Sequence, residues 1–281
     1  MDQASLESIL ADLHLPAIRY LTTIDSTNIE AWRWIEAGAP HAALVVADEQ
    51  TAGRGRLQRR WITVPGGGLA FSLVLSFPLI EPDYFSRLTG LGALAVCLAL
   101  QKHYALPAKI KWPNDILLGG RKTGGVLAEA SWSGERINAV VIGIGINIAM
   151  NSIDPDNMPP EILNFPVTCV EEVAGHPVKR MDLLHGILDE FFNWLPKLAS
   201  IEFLKAWEDI LAYRGQWVEV MQGTHDPSSS PVDPFQQNRL IGKEIGLAPD
   251  GALQVLAENG EVITVRVGEI HLRPTTLPSQ G

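Results

Sequence analysis

The stretch Gly53-Arg54-Gly55-Arg56-Leu57-Gln58-Arg59-Arg60-Trp61 gathers four arginines and two glycines into one short segment of an otherwise acidic chain. Glycine reaches positive φ and lets a backbone come close to a ligand. Arginine offers a planar fork that meets phosphate or carboxylate with two parallel hydrogen bonds. Such a loop suits an anionic ligand; a solvated basic turn is the plainer reading of the same residues. A second cluster is Lys111-Trp112-Pro113-Asn114-Asp115. Pro113 keeps Trp112 extended and ends the strand ladder, so an amide and a carboxylate are presented together, although Asn-Asp alone is ordinary turn chemistry. Lys122 stands between Gly119-Gly120 and Gly124-Gly125, where its backbone can approach a ligand; by itself it reads as a solvated surface lysine.

Gly143-Ile144-Gly145-Ile146-Asn147 closes an apolar run. A dinucleotide-binding turn would need a third glycine where Ile148 stands, and a helix before Asp154-Pro155, where none has room to form. The two glycines therefore mark a tight strand end, or a backbone bared so that a ligand can lie on it, with Asn147 offering an amide at the edge.

The chain that must position these groups has 281 residues, 46% of them hydrophobic and 19% charged, enough for one large core or a large and a small domain. Its formal net charge of −10 excludes broad binding to nucleic acid, which relies on spread positive charge. A local basic loop on an acidic protein points to a small anion instead. Cys97 and Cys169 have no zinc or C-x-x-C spacing, so a reducing, cytoplasmic setting is the expectation. The start Met1-Asp2-Gln3 lacks the order of a signal peptide. The apolar run Leu88–Leu100 is too short to span a bilayer, so no membrane association is expected.

Residues 5–13 form a short amphipathic pattern, too little to hold a DNA-binding domain ahead of Ile24. Thr27 and Glu30 have the spacing of a capping box at the start of a helix running to about Ala37. Ala43–Ala47 and Leu69–Phe77 read as buried strands. Pro82 starts a long helix to about Tyr104, and Lys109–Trp112, Gly125–Ala130 and Ile137–Asn147 read as further strands. Helices over Arg180–Leu198 and Ile201–Ala212 follow, the first with Leu183, Leu184, Ile187, Leu188, Phe191 and Leu195 on one face. From about Gly215 the texture turns to short β runs, Trp217–Met221, Arg239–Gly246, Ala252–Leu256 and Val262–Val267, with turns at Pro249-Asp250-Gly251 and Glu258-Asn259-Gly260. Asn151–Pro166 and Gly223–Asn238 read as loops. The fold class is α+β: a domain over residues 1–213 and a small β-barrel over 214–281.

Taken in order, Asp25-Ser26-Thr27-Asn28, Gln50, Gly53-Arg54-Gly55-Arg56 with Arg59 and Trp61, Lys111-Trp112-Pro113-Asn114-Asp115, Lys122-x-x-Gly125-Val126-Leu127-x-Glu129 and Gly143-x-Gly145-x-Asn147 resemble the motifs of biotin protein ligases. The tail Gly268–Arg273 resembles that family's C-terminal domain, so the likeness covers about residues 20–273. It implies a catalytic domain like that of class II aminoacyl-tRNA synthetases and a C-terminal SH3-like barrel. It implies adenylation of biotin by ATP with Mg²⁺, then transfer of the biotinyl group to a lysine of a biotin carboxyl carrier protein, in a homodimer. Carried over by motif, Ser26, Thr27, Asn28, Gln50, Arg54, Gly55, Arg56, Lys122, Gly125 and Gly143 hold biotin. Arg56, Trp61, Asn114, Lys122 and Asn147 hold the nucleotide. Lys122, Arg56 and Asp115 serve the chemistry, and Asp115 also serves the metal.

The residue chemistry agrees with the resemblance. A carboxylate attacking the α-phosphate brings two anions together, and cations must meet the charge that develops. The ureido ring of biotin is neutral and wants hydroxyl and amide partners, which Ser26, Thr27 and Gln50 supply. The glycines and arginines suggest a loop that is loose when empty and closes over the adenylate. Two departures stand out: Gln58 occupies a position where the family commonly has glycine, and the helix-turn-helix of the family's repressor members is not found. A lipoate ligase with the same chemistry, a non-catalytic biotin or nucleotide binder, and an RNA-binding arginine loop are the competing readings, and overall acidity weighs against the last.

Overall fold

The computed structural model describes residues 1–56, 59–76, 81–153, 166–223, 239–266 and 269–275. The chain runs α1 (Gln3–Ile9), β1 (Ile18–Ile24), α2 (Thr27–Glu36), β2 (Leu44–Gln50), β3 (Gly68–Ser76), α3 (Phe85–Tyr104), β4 (Lys109–Lys111), β5 (Asp115–Leu118), β6 (Arg121–Ser133) and β7 (Arg136–Asn147). Next come α4 (Val170–Ala174), α5 (Arg180–Trp194), α6 (Ile201–Asp209), β8 (Trp217–Gly223), β9 (Arg239–Leu247), β10 (Leu253–Ala257), β11 (Val262–Val265) and β12 (Glu269–Pro274).

Strands β1 to β7 form one sheet in the order β1-β2-β3-β7-β6-β5-β4. Only β1 and β2 pair in parallel; the other neighbours are antiparallel. The β-branched and aliphatic run Leu44-Val45-Val46-Ala47 is buried on both faces, as expected of a strand with helices above and below it. On one face Leu44, Val46, Phe71 and Leu73 join the core with α3 and α5. On the other, Ala43, Val45, Val74 and Val141 pack with Ala31, Trp32 and Ile35 of α2. Helix on sheet on helix is a stable way to bury both faces.

Helix α3 is rich in glycine and alanine because it lies close to its neighbours. A Cβ at Gly90 would overlap the Trp207 ring of α6, and one at Gly92 would press on Val126 of β6. The helix ends at Ala105, in left-handed geometry, two residues before Pro107. Together with the 3₁₀ turn Pro82–Tyr84, its 23 residues are long and apolar enough to cross a bilayer, so the expectation from the Leu88–Leu100 run was too narrow. However, 67% of its most apolar window is buried inside the protein, as for a core helix.

Strands β8 to β12 form a second, fully antiparallel sheet in the order β11-β10-β9-β8-β12. It shares one continuous core with the rest through Val218, Val220, Leu253 and Val255 beside Trp207. The turn between β9 and β10 is held by polar contacts as well. Trp112 Nε1 donates to the Gly251 carbonyl at 3.0 Å, Arg87 Nε donates to Pro249 O at 2.9 Å, and Arg87 NH1 donates to Leu198 O at 2.7 Å.

Several expectations need correcting. β1, β5, β12 and α4 were not read as elements, and β6 begins at Arg121 rather than Gly125. The capping box is not made: Ser26 is the N-cap without a side-chain bond, and Glu30 instead pairs with Arg19 at 2.9 Å. Gln58, the loop Gly223–Asn238 after its first residue, and most of Asn151–Pro166 lie outside the described residues.

Candidate active site

The polar groups that matter lie where the ends of the central strands meet the N-terminus of α2. Ser26, Thr27 and Asn28 are each no more than 5% exposed. Gln50 ends β2 and is 9% exposed. Its amide is oriented by two contacts: Oε1 accepts from the Thr27 backbone N–H at 2.8 Å, and Nε2 donates to Thr63 Oγ1 at 3.1 Å. Thr27 Oγ1 is also 3.1 Å from Gln50 Oε1. Ser72, in the middle of β3, reaches both Thr27 Oγ1 at 2.7 Å and Asn28 Oδ1 at 2.6 Å. The Asn28 amide then donates to Glu129 Oε2 of β6 at 2.7 Å. This is a buried, uncharged hydrogen-bond network with a carboxylate at one end. It satisfies groups that would otherwise destabilise the core.

Both glycines of the Gly143-x-Gly145 motif have a steric reason to lack a side chain. A Cβ at Gly143 would overlap the Asn28 amide, and one at Gly145 would overlap the Trp61 indole. Strand β7 is therefore bare where two side chains from other elements lie across it, and the pattern answers to packing as well as to any ligand.

The cations gather at the β5–β6 side of the sheet. Lys122 Nζ lies 2.5 Å from Asp115 Oδ1, with the two side chains 27% and 18% exposed. Arg56 NH1 donates to Asn114 Oδ1 at 3.3 Å, while Asn114 Nδ2 donates to the Val126 carbonyl at 3.2 Å. Burial pushes the Arg56 guanidinium below its usual range; Asp115 opposes that and Arg59 adds to it. Gly125 lies opposite Asp115 in the β5–β6 pair. The arginine loop is tied at its base: Gly55 N–H donates to Arg59 O at 2.7 Å, Trp61 N–H donates to Gly53 O at 2.8 Å, and Arg54 bridges Arg60. The Arg54 side chain is exposed, so its backbone is the part that can face a ligand.

Lys122 is also fixed through its backbone. Its N–H donates to Pro166 O at 2.8 Å, and its carbonyl accepts from Thr168 N–H at 2.9 Å. Thr168 O in turn accepts from Asn147 Nδ2 at 3.4 Å. The structure thus joins Thr27, Asn28 and Gln50 in one network, joins Arg56, Asn114, Asp115 and Lys122 in another, and ties Asn147 to the Lys122 backbone. Ser26 is buried, with its N–H bonded to Asp25 at 2.7 Å, and its side chain does not join the network. Sequence reasoning missed Ser72, Thr63 and Thr168 as site residues, and named Glu129 within a motif without giving it a role. For Ser72 there was a signal: a lone hydroxyl in Leu69-Ala70-Phe71-Ser72-Leu73-Val74-Leu75 must be buried and needs a partner.

Comparison with known proteins gives this arrangement a family. A model of the biotin/lipoate A/B protein ligase family matches residues 20–147. The biotin--[acetyl-CoA-carboxylase] ligase of Paracoccus denitrificans is 35% identical over 213 residues, covering 73% of this chain and 85% of that protein. The chain belongs to the biotin/lipoate A/B protein ligase family. Among solved structures, the family's biotin protein ligase from Aquifex aeolicus in complex with biotin and ATP superposes with a TM-score of 0.72 at 28% identity. That match covers 92% of this chain and 99% of the other, so the family likeness extends over both sheets. The bifunctional ligase/repressor BirA of Bacillus spizizenii is 38% identical over 169 residues, 60% of this chain. The match spans only 50% of the length of that family member. Lys122, Arg56, Asn114 and Asp115 thus lie together as a charged cluster, and Thr27, Gln50, Ser72 and Asn28 as an uncharged one.

Proposed function

We propose that the protein is a biotin protein ligase. It joins the biotin carboxylate to the α-phosphate of ATP, forming biotinyl-5'-AMP and releasing pyrophosphate. It then passes the biotinyl group to a lysine of a biotin carboxyl carrier protein, releasing AMP. The observation that carries this reading is the pairing of a buried neutral hydrogen-bond network with a cluster of two cations, a carboxylate and an amide across the same few strands.

The two halves divide the work. The neutral half recognises a head group rich in hydrogen-bonding atoms, which favours a urea over the dithiolane of lipoate, where no N–H or C=O is present. The charged half meets the adenylation step. Arg56, partly buried beside Asn114, is a fixed fork for an anion, and Lys122 is a compact charge held against Asp115 until phosphate oxygens compete for it. Preorganised cations of this kind lower the barrier because they need no rearrangement as charge develops. The loop carrying Arg54, Gly55 and Arg56 is read as the cover that excludes water from the adenylate. A Mg²⁺ ion bound with the nucleotide would neutralise phosphate charge. Asp115 would be the carboxylate that holds it; no cluster of three or more His, Cys, Asp or Glu side chains converges among the described residues. One carboxylate with substrate oxygens and water is an ordinary setting for Mg²⁺.

The same reading takes the five-stranded sheet as an SH3-like barrel, the seven-stranded sheet as class II synthetase-like, residue 213 as the last of the catalytic domain, and the active species as a cytoplasmic homodimer; the antiparallel order of five short strands supports the first. The test of function is the full reaction. Incubated with biotin, MgATP and a carrier domain, the protein should place one biotin on the carrier lysine by mass spectrometry. A carrier left unmodified under those conditions would reject the proposal.

A further inference from the structure

We propose that Glu129 sets the direction of proton donation through the buried network, and so makes the Thr27 hydroxyl an acceptor for a ring N–H of the bound cyclic urea. This inference rests on the biotin reading above. It follows from counting protons. The Glu129 carboxylate, 2.7 Å from Asn28 Nδ2, can only accept, so the Asn28 amide must turn its NH₂ toward it. Asn28 Oδ1 is then an acceptor, 2.6 Å from Ser72 Oγ. A serine hydroxyl has one proton, and it is committed to Asn28. The 2.7 Å contact between Ser72 and Thr27 must therefore be donated by Thr27, whose own single proton is spent there. Gln50 Oε1, at the longer 3.1 Å from Thr27 Oγ1, is already satisfied by the Thr27 backbone N–H. Thr27 Oγ1 is left with lone pairs and no proton, beside Gln50 Oε1, which is also an acceptor. The pair complements a ligand that brings N–H donors.

Reversing the relay reverses this polarity. Without a carboxylate at position 129 the Asn28 amide can turn over and donate to Ser72. Ser72 then donates to Thr27, and the Thr27 proton turns to Gln50 Oε1, 3.1 Å away, so the lone pairs that the two groups would offer a ring N–H are taken up inside the protein. Glu129 does not touch the ligand in this scheme: it is a positioning residue that lies 101 positions from the amide it orients. Gly143 serves the same device, because a side chain there would displace Asn28.

The test compares wild type with Glu129→Leu and Glu129→Gln by isothermal titration. The probes are biotin, two analogues methylated singly at either ureido nitrogen, and ATP. A melting curve is recorded for each variant. Wild type should prefer biotin over at least one methyl analogue by tenfold or more. Glu129→Leu should weaken biotin by about tenfold, the worth of one well-made hydrogen bond, shrink that preference to about threefold, and leave ATP affinity within twofold. Glu129→Gln, whose amide can still offer an oxygen to Asn28 or turn away, should lie between. If Glu129→Leu does not fold, a threefold or greater loss of biotin affinity in Glu129→Gln supports the inference. Variants that bind biotin within twofold of wild type, or that lose biotin and both analogues by one common factor, overturn it while leaving the biotin reading intact. A wild-type protein that binds ATP but no biotin overturns both.

Discussion

Glu244 offers a quantitative check on the packing. It lies on β9 opposite Val255 at 1% exposure, and neither carboxylate oxygen has a hydrogen-bond partner among the described residues. Burial raises the carboxyl from 4.5 to about 7, against the opposing charge of Arg214. At 1.36 kcal/mol per tenfold in proton affinity, that elevation is worth about 3 kcal/mol. The sign follows from linkage. The folded chain keeps a proton that the unfolded chain has already lost, so this contribution is intact below about pH 4.5. It drains away as pH rises toward 7 and is gone above that. Glu244→Leu removes the titration while keeping the volume roughly constant. Urea unfolding followed by tryptophan fluorescence at pH 5 and pH 8 should show wild type losing about 2.5 kcal/mol more than the variant over that interval, since part of the effect is already lost at pH 5. At pH 8 the variant should be the more stable of the two. Parallel stability curves for the two proteins, agreeing within about 0.5 kcal/mol across the interval, would refute the assignment of a buried, unpaired carboxyl.

Three further outcomes are expected. Lys122→Ala should cost no more than about 1 kcal/mol of stability, because its ion pair with Asp115 is partly exposed, yet slow adenylation by about 10²–10³; a loss of rate under threefold would return Lys122 to the surface. Gly145→Ala should push the Trp61 indole aside, shifting its fluorescence and weakening nucleotide binding measured by titration; unchanged emission would mean the strand yields instead. Trp112→Phe removes the donor to the Gly251 carbonyl and should cost about 1 kcal/mol, read from the melting curve.

Much of the site was legible because its residues are written in short runs. Gly53–Trp61, Lys111–Asp115 and Gly143–Asn147 carry residue types whose chemistry is local, and the structure gathers Arg56, Asn114, Asp115 and Lys122 as those runs suggested. The long apolar strands and α3 were legible for the same reason: burial leaves a continuous pattern. What escaped was non-local. The capping spacing of Thr27 and Glu30 describes a local bond, but Gln50 and Ser72, 23 and 45 positions away, claim the Thr27 side chain, and Arg19 claims Glu30. Ser72 and Glu129 gain their roles only from the β3-β7-β6 order, which no single window contains. β5 was hidden because its first residue, Asp115, was read as the end of a turn. β1 was missed because Ile18–Ile24 is only partly buried, and its mixed residues lack strict alternation.

The central claim is that the joined neutral and charged halves activate biotin. Exchange of labelled pyrophosphate into ATP tests it most directly, with biotin and lipoate offered separately to the wild-type protein in the presence of Mg²⁺. The account predicts exchange that depends on biotin, with lipoate supporting little or none. Exchange that requires lipoate, or none with either acid from a protein that binds both biotin and ATP, would contradict it.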